Sequence, residues 1–298
     1  MRPFEYFAPE SVDSVLGLLE QYGSQSAIMA GGTDVMVSMK ERTIAPQYIV
    51  HIEKIDELRF IRREQNSIRL GPLTTMAELG SSDEIINQIE ALAIAARNCA
   101  GPQVRNRGTI GGNLGTASPA GDLITPLMAL DAKIKVSSRQ GEKLYSLQEF
   151  LVGPKKSNLG SNELITEIIV PMLPPNSGSS FHKEGKRKAL SISIATAAAA
   201  VTLSNDGKYI QSVRVVMGSV GPTAVRARKF EDALQGKEVN TLDIRAIAPL
   251  VKEDIKPITD QRALQDYRSE LACVLAARSV ESAITRARGQ FEAKGDAK

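Results

Sequence analysis

The segment IMAGGTDVMV, residues 28–37, constrains the fold of this 298-residue chain most strongly. An apolar run typical of a buried strand ends in two glycines, a threonine and an aspartate, and apolar residues then resume. Gly31 and Gly32 lack a Cβ atom, so their backbone can approach a ligand closely. Successive N–H groups in such a loop form an anion-binding nest, and the Thr33 hydroxyl adds a donor. Asp34 is expected to cap the following turn or to hold the loop. Taken alone, the segment fits an ordinary strand-to-helix turn better than a phosphate site.

A second glycine-rich segment, RNRGTIGGNLGTASPAGD at residues 105–122, changes that interpretation. It is predicted as a long loop rich in small hydrogen-bond donors, and loops of this length without secondary structure are usually functional or disordered. Two nests suit a ligand with more than one polar segment. FAD would place its pyrophosphate on the nests and its ribose and ribitol on the polar side chains. Neither segment contains G-x-G-x-x-G or Gly-Lys-Ser/Thr, which disfavours a Rossmann site and a P-loop.

The composition disfavours several classes of protein. A net charge of +3 argues against a nucleic-acid-binding protein. The two cysteines, Cys99 and Cys273, are too few for a metal or iron–sulfur cluster. The N-terminus lacks the apolar core of a signal peptide, and the longest apolar run, residues 194–203, is too short to span a bilayer. A cytoplasmic protein without a membrane span is therefore expected.

The hydrophobic periodicity changes along the chain. Residues 1–52 alternate helix and strand, which predicts a small parallel sheet, and the proline-rich segment at 171–180 is predicted as a linker. We therefore expect a first domain at residues 1–175, a second at 176–288 and a flexible tail at 289–298. A last helix is predicted to begin near Asp260, with Leu264, Tyr267, Leu271, Val274 and Leu275 on one face. The other predicted elements are a helix at 11–22, strands at 26–30 and 47–52, two strands around a turn at 64–67, a helix within 81–100, a glycine-rich loop at 100–121, a hairpin within 132–147, and strands at 163–171, 192–203 and 209–220.

The paired motifs, AGGTD at 30–34 and QVRNRGTIGGNLGTASPAGDL at 103–123, closely resemble those of the FAD-binding subunit of the molybdenum hydroxylases. This family comprises enzymes of the xanthine dehydrogenase, carbon monoxide dehydrogenase and nicotinate dehydrogenase type. The resemblance extends nearly from end to end, through FEYFAPESVDSVLGLL at 4–19, GKRKALSISIATAAAAV at 185–201 and DYRSELACVLAARSV at 266–280. It implies an α+β fold: a two-lobed FAD-binding domain of the PCMH or vanillyl-alcohol-oxidase type, followed by a smaller domain with a three-stranded antiparallel sheet and helices.

The resemblance also implies which residues hold FAD without a covalent bond. The two glycine segments would bind the pyrophosphate and adjoining groups, chiefly through backbone N–H groups. Asp122 would accept a hydrogen bond from a sugar or ribitol hydroxyl, Leu164 would pack on the flavin, and Lys183 would lie beside the ring and stabilise the anionic reduced flavin. No side chain is expected to act as acid, base or nucleophile. The residues implied in the glycine segments are Met29, Ala30, Gly31, Gly32, Thr33, Asp34, Val35, Thr109, Ile110, Gly111, Gly112, Asn113 and Thr116.

The chain departs from some members of the family around the flavin ring. Those members stack an aromatic residue on the ring from the segment that here reads NCAGPQVRN, residues 98–106, or from the positions of Ile192 and Ile194. The stacking partner is therefore expected to be aliphatic or to come from a partner chain. His51 lies in an apolar strand and is predicted as a packed core residue, and neither His51 nor His182 is expected to bond to the flavin.

What the chain lacks defines the function that the resemblance implies. The family's reaction needs a molybdenum cofactor, [2Fe–2S] clusters and FAD, and this chain can hold only FAD. A molybdenum-cofactor large subunit and a [2Fe–2S] small subunit are the expected partners, in a dimer of heterotrimers. The chain would take electrons from the clusters and pass them through FAD to an external acceptor, with NAD⁺ expected. Two alternatives stay open: a self-contained flavin reductase or oxidase of the same FAD-domain superfamily, and a nucleotide-binding protein without redox chemistry.

Overall fold

The computed structural model describes residues 1–187 and 189–295. The first lobe of the protein is a small parallel sheet with two helices. Ser11 starts the first helix by accepting a hydrogen bond from the Ser14 amide, and Val15 and Leu19 bury its inner face. The strand order is β1-β3-β2, with both pairs parallel. Parallel neighbours end at the same edge of a sheet, so the AGGTD motif after β2 lies beside His51 at the end of β3. The elements are β1 (Glu5–Phe7), α1 (Val12–Tyr22), β2 (Ser26–Met29), α2 (Val35–Lys40) and β3 (Tyr48–His51).

The second lobe is a five-stranded antiparallel sheet covered by short helices. Its strand order is β4-β5-β10-β6-β7, and the alternating residues Ile68, Leu70, Ile134, Val136 and Ile168 face one buried core. The strands are β4 (Ile61–Arg63), β5 (Ser67–Leu70), β6 (Lys133–Ser138), β7 (Gly141–Ser146) and β10 (Leu164–Pro171), with a small ribbon of β8 (Leu151–Gly153) and β9 (Lys156–Ser157). The helices are α3 (Met76–Ser81), α4 (Asp83–Gln88), α5 (Glu90–Asn98), α6 (Pro102–Arg105), α7 (Ile110–Thr116), α8 (Ile124–Ala129) and α9 (Leu147–Phe150).

The C-terminal part is an antiparallel sheet packed on one long helix. All of β12 is buried, because α12 packs on the sheet and α5 and α8 pack against its strands from the second lobe. Small residues permit this close approach: a Cβ at Gly178 would lie 2.2 Å from the Ala283 carbonyl oxygen on α12. The elements are β11 (Ser177–Gly185), β12 (Ser193–Leu203), β13 (Ile210–Gly218), β14 (Val225–Arg226), α10 (Arg228–Leu234), α11 (Ile244–Ile247) and α12 (Gln265–Gly295). The sheet thus has three long strands and a two-residue edge strand.

Two predictions from the periodicity are wrong in the second lobe. The helix predicted within 81–100 is two helices, because Ile89 leaves the helical region (φ −140°, ψ 54°) while its side chain enters the core. The segment predicted as a long loop at 100–121 contains α6 and α7. Pro102 starts α6 at a position that needs no N–H donor, and Thr109 caps α7 by accepting from the Gly112 amide.

The last helix also differs from its prediction. It begins at Gln265 instead of near Asp260, because the Asp260 carboxylate accepts from the amides of Arg262 and Ala263 and holds them in a turn. Of the predicted apolar face, Leu264 and Tyr267 are 66% and 53% accessible and Val274 is exposed, whereas Leu271 is partly buried and Leu275 is buried. The buried face is instead a row of small residues that fits the alanine-rich strand β12, namely Ala272, Ala276, Ala277, Ala283 and Ala287, together with Leu275, Val280 and Ile284.

The helix continues to Gly295, into the segment predicted as a flexible tail, and residues 296–298 of that segment lie outside the described residues. Among the described helices, none is long and apolar enough to cross a membrane.

Candidate cofactor-binding cleft

A cleft of about 480 Å³ opens between the two lobes, and both glycine segments line it. This size is within the range of small-molecule and cofactor sites. A further part of the wall comes from the segment 155–165, which precedes and begins β10. The implied site residues found in the lining are Ala30, Gly31, Gly32, Thr33, Asp34, Val35, Thr109, Gly111, Gly112, Asn113, Thr116 and Leu164.

The first glycine segment is an anion-binding nest at the start of α2. Gly32 has a φ of +73°, a conformation that glycine adopts without strain. Within the described part of the chain, the amides of residues 31–35 meet no protein acceptor. Five successive free N–H groups therefore border the cleft, which suits a phosphate. Asp34 occupies the N-cap position of α2, but its side chain makes no capping hydrogen bond.

The second glycine segment differs from the nest that the sequence suggested, because its amides are already used. The Ile110 amide donates to Thr74 O and the Gly111 amide to Pro72 O, at 3.0 and 2.9 Å. The amides of Gly112 and Asn113 both donate to Thr109, to Oγ1 and to the carbonyl oxygen respectively. This segment therefore cannot hold phosphate through these four N–H groups, and its contribution to a ligand must come from side chains and shape.

Asn113 supplies one such group. Its Oδ1 atom is buried and has no hydrogen-bond partner in the protein, and an orphaned buried acceptor is costly. An amide oxygen accepts hydrogen bonds, so it suits a sugar hydroxyl and not a phosphate oxygen. Two residues further along α7, Gly115 lines the cleft with no atom within 4 Å of the position that a Cβ would take.

The two glycine segments are in direct backbone contact. A Cβ at Gly31 would lie 1.7 Å from the carbonyl oxygen of Arg107, so only glycine fits there. The Arg107 guanidinium donates to both carboxylate oxygens of Glu53, which follows β3. This hydrogen bond is the largest cause of the lowered pKa of Glu53. The contact fixes the distance between the nest and the second segment.

Asp122 and Lys183 form a separate cluster at one edge of the cleft. Lys183 Nζ lies 2.6 Å from Asp122 Oδ2 and 3.2 Å from Asn98 O, and Ser193 Oγ donates to Asp122 Oδ1 at 2.7 Å. Both carboxylate oxygens of Asp122 are thus engaged within the protein. Cys99 connects this cluster to the cleft, which it lines, and its pKa is raised to about 12 by burial and then by Asp122.

Four of the implied residues lie outside the lining: Asp122 and Lys183, which form the cluster described above, and Ile110 and Met29. Ile110 is fully buried in the core of the second lobe. Met29 lies beneath the nest, with its Sδ atom 3.5 Å from the position of a Cβ on Gly32. Ile110 and Met29 therefore pack behind the two glycine segments and do not line the cleft. No residue of the lining, which spans residues 19–165, is aromatic.

Sequence reasoning missed two parts of the site. His51 is not packed in the apolar core as predicted, because both ring nitrogens have polar partners: Nε2 lies 3.2 Å from Ala30 O and Nδ1 lies 2.6 Å from the Tyr6 hydroxyl. The position of His51 at the end of a strand parallel to β2 was the signal that could have placed it beside AGGTD. The second missed part is the wall at 155–165. Burial there would raise the pKa of Glu163, but Lys143 and the Gly160 amide together outweigh burial and lower this pKa.

Comparison with known families accounts for both halves of the chain. Residues 2–173 match the family described as the FAD binding domain in molybdopterin dehydrogenase. Residues 180–283 match the CO dehydrogenase flavoprotein C-terminal domain. The chain belongs to the FAD-binding subunits of the molybdenum hydroxylases. It is an oxidoreductase subunit with a FAD-binding domain, as the paired glycine motifs predicted.

Individual FAD subunits resemble the chain along nearly its whole length. It is 33% identical to the nicotinate dehydrogenase FAD-subunit of Eubacterium barkeri over 275 residues, 91% of this chain and 92% of that protein. It is 35% identical to subunit alpha of the 6-hydroxypseudooxynicotine dehydrogenase complex of Paenarthrobacter nicotinovorans, with 97% of each covered. A solved structure of carbon monoxide dehydrogenase from Hydrogenophaga pseudoflava superposes with a TM-score of 0.91 at 32% identity, and covers 96% of this chain and 98% of that one.

The residues present fit FAD. The nest of residues 31–35 offers free N–H groups for a pyrophosphate, and the orphaned Asn113 Oδ1 offers an acceptor for a hydroxyl. Leu164 and Ile165 give the cleft an apolar surface on the side of β10.

Proposed function

We propose that this FAD subunit is the electron-transfer subunit of a heteromeric molybdenum hydroxylase. It takes electrons from [2Fe–2S] clusters in a small subunit and passes them to NAD⁺. The substrate is oxidised in a large subunit that carries the molybdenum cofactor, and the assembly is a dimer of heterotrimers. When bound, FAD supplies the redox chemistry, because it accepts electrons singly and releases them as a pair.

The free amides of residues 31–35 carry this proposal. They provide donors for a pyrophosphate in the one large cleft described between the lobes, while the amides of residues 110–113 are committed to the protein. We therefore assign the pyrophosphate to the first segment and the sugar hydroxyls to the second, through Asn113. This division supports a dinucleotide with one charged centre and neighbouring hydroxyl groups.

The other residues hold and tune the cofactor. Leu164 supplies an aliphatic surface for the flavin in place of an aromatic ring. Lys183 supplies positive charge near the ring, and Asp122 offsets part of that charge from 2.6 Å away. None of these side chains needs to transfer a proton, so we assign no catalytic acid, base or nucleophile to this chain.

The surface beside the cleft supports a partner chain. Leu190 and Ile192 are 57% and 56% exposed on the hairpin between β11 and β12. Leu190 lies against Gly101, two residues after the cleft-lining Cys99, because a Cβ on Gly101 would lie 2.3 Å from its Cδ2. Large exposed apolar side chains next to a binding site are typical of a surface that another protein covers.

Purification of the chain from its natural host, at its natural level of expression, tests the proposal. We expect an affinity-tagged chain to bring down two further subunits with molybdenum, iron and the yellow absorbance of oxidised flavin. Reduction of the isolated complex followed by addition of NAD⁺ should form NADH. A monomeric flavoprotein that oxidises a substrate without molybdenum or iron would overturn the proposal. Reoxidation by artificial acceptors but never by NAD⁺ would overturn the choice of acceptor alone.

A further inference from the structure

His51 bonds to the nest from outside the cleft. Its imidazole lies at the end of β3, and Nε2 is 3.2 Å from Ala30 O and 3.3 Å from a carboxylate oxygen of Glu53. Both neighbours are acceptors, so Nε2 must carry the hydrogen. In the neutral ring Nδ1 is then the acceptor, and the Tyr6 hydroxyl donates to it at 2.6 Å. The hydrogen bond at one ring nitrogen sets the role of the other, so Tyr6 selects the tautomer that donates to Ala30.

This bond fixes the orientation of the first N–H group of the nest. The peptide between Ala30 and Gly31 is planar and trans, so its C=O and N–H point in opposite directions. Because the Ala30 carbonyl points to His51, the Gly31 N–H points away from His51, and Gly31 lines the cleft.

The orientation of the peptide between Ala30 and Gly31 can change easily because Gly31 is a glycine. A peptide bonded to glycine can rotate at low cost, since glycine accepts backbone conformations that other residues avoid. Rotation of the peptide between Ala30 and Gly31 would turn a carbonyl oxygen toward the phosphate site and remove a donor. Within the described residues, the Ala30 carbonyl oxygen accepts no hydrogen bond other than the one from His51 Nε2.

The same imidazole connects to the second glycine segment. Glu53, beside Nε2, accepts two hydrogen bonds from the Arg107 guanidinium, and the Arg107 carbonyl oxygen lies against Gly31. A continuous chain of polar contacts therefore runs from Tyr6 through His51 and Glu53 to Arg107, behind both segments.

We propose that His51 is a positioning residue for the pyrophosphate of the cofactor. It holds the peptide between Ala30 and Gly31 so that the Gly31 N–H faces the cleft, and Tyr6 supports it by fixing the tautomer. The inference rests on the proposed function only in that the cleft binds FAD. Its effect is confined to ligands with phosphate at this loop.

Two substitutions of His51 distinguish the hydrogen bond at Nε2 from the hydrogen bond at Nδ1. The amide nitrogen of His51→Gln reaches the place of Nε2 and keeps the donor to Ala30. The shorter side chain of His51→Asn reaches only the place of Nδ1 and loses that donor. Isothermal titration of the full chain with FAD, ADP and adenosine measures the affinity of each variant, and the ratio of ADP to adenosine affinity isolates the pyrophosphate.

We expect His51→Asn to lower the affinity for FAD and ADP roughly tenfold, the loss typical of one hydrogen bond to a charged group. Adenosine affinity should stay unchanged, and His51→Gln should stay within about threefold of the natural chain. Tyr6→Phe should give an intermediate loss, because the other tautomer becomes available. The matched control is His182→Asn, since His182 bonds to Ser282 on α12 and does not line the cleft.

Two outcomes would overturn the inference while FAD still binds the natural chain. One is an unchanged ADP affinity in His51→Asn. The other is an equal loss of ADP and adenosine affinity, which would mean that His51 only stabilises the fold. Failure of the natural chain to bind FAD would instead contradict the proposed function.

Discussion

Lys183 and Asp122 form a buried ion pair across the joint between the two domains, with 2.6 Å between Nζ and Oδ2 and with both side chains about nine-tenths buried. Lys183 comes from β11 in the C-terminal sheet, and Asp122 lies between α7 and α8 in the second lobe. Ser193 donates to the second carboxylate oxygen. The edge of the cleft beside Cys99 therefore adjoins a compensated pair of charges and not a lone cation.

Removal of the negative member should raise the flavin midpoint potential. Asp122→Asn leaves the Lys183 charge uncompensated, and a cation stabilises the more negative reduced flavin. We expect a rise on the order of 30 mV, which corresponds to about 1.4 kcal/mol for two electrons, measured by dye-coupled potentiometry of the FAD-loaded chain. Ser193→Ala keeps both charges and serves as the control, with a smaller shift. An unchanged or lowered potential in Asp122→Asn would show that the pair lies too far from the flavin to tune it.

The thiol of Cys99 should be nearly inert although it lines the cleft. Burial, followed by the charge and hydrogen bond of Asp122, raises its pKa to about 12, so about one thiol in ten thousand is ionised at pH 8. We expect alkylation by iodoacetamide, followed by mass spectrometry, to be far slower than for a free thiol. Asp122→Asn should accelerate labelling of Cys99, because it lowers the pKa of this thiol, and Cys273 is the internal control. Rapid labelling of Cys99 in the natural chain at pH 8 would contradict the raised pKa of this thiol.

Two glycines that line the cleft should respond to alanine in opposite ways. The methyl group of Gly31→Ala would lie 1.7 Å from Arg107 O, so the two segments must separate. We expect a loss of about 1–3 kcal/mol in the free energy of unfolding together with loss of FAD binding. Gly115 lies within α7, and no atom lies within 4 Å of the position that its Cβ would take. Gly115→Ala should therefore raise the stability of the cofactor-free chain by about 0.5–1 kcal/mol.

The FAD affinity of Gly115→Ala should nevertheless fall, because the added methyl group enters the cleft. Chemical denaturation of the cofactor-free chain and FAD titration, run in parallel, separate the two effects. Equal affinity in Gly115→Ala and the natural chain would place the cofactor away from this turn of α7.

Much of the fold could be predicted from the sequence because its signals are local. The apolar run before AGGTD, the alternation in β5 and the proline that ends β10 each fix an element within a few residues. The function of the second glycine segment could not be predicted in this way. Its amides at Ile110 and Gly111 donate to Thr74 and Pro72, more than thirty residues earlier in the chain. Only the folded chain shows that these donors are unavailable to a ligand, so the two segments look equivalent in sequence and differ in structure.

The last helix illustrates a second limit. Leu264, Tyr267 and Val274 have the spacing of a buried stripe, yet all three are exposed. Hydrophobic periodicity identifies an apolar face but not which of two faces meets the core. Here five of the eleven residues of the core strand β12 are alanine, and the face of small residues packs closest to it.

The contact that starts this helix should make stability depend on pH. Arg268 is 4% exposed, and its guanidinium donates to Asp260 at 2.7 Å. Burial alone would raise the pKa of Asp260, but the Arg262 amide and the two guanidinium groups outweigh burial and lower this pKa well below 3.8. Because the folded pKa is depressed, the stabilisation is fully present above the unfolded value, near pH 4, and is lost as the pH falls toward the folded value.

Asp260→Asn should therefore destabilise the chain at pH 7 by about 3 kcal/mol, the lower bound for breaking a buried ion pair from one side. The difference from the natural chain should stay constant from pH 7 to about pH 5 and shrink below about pH 4. Urea denaturation at a series of pH values measures this difference. Glu281→Gln, which removes an exposed partner of Arg245, is the control and should change the free energy of unfolding little at any pH. A gap between Asp260→Asn and the natural chain that persists undiminished at low pH would show that the carboxylate charge does not stabilise the start of α12.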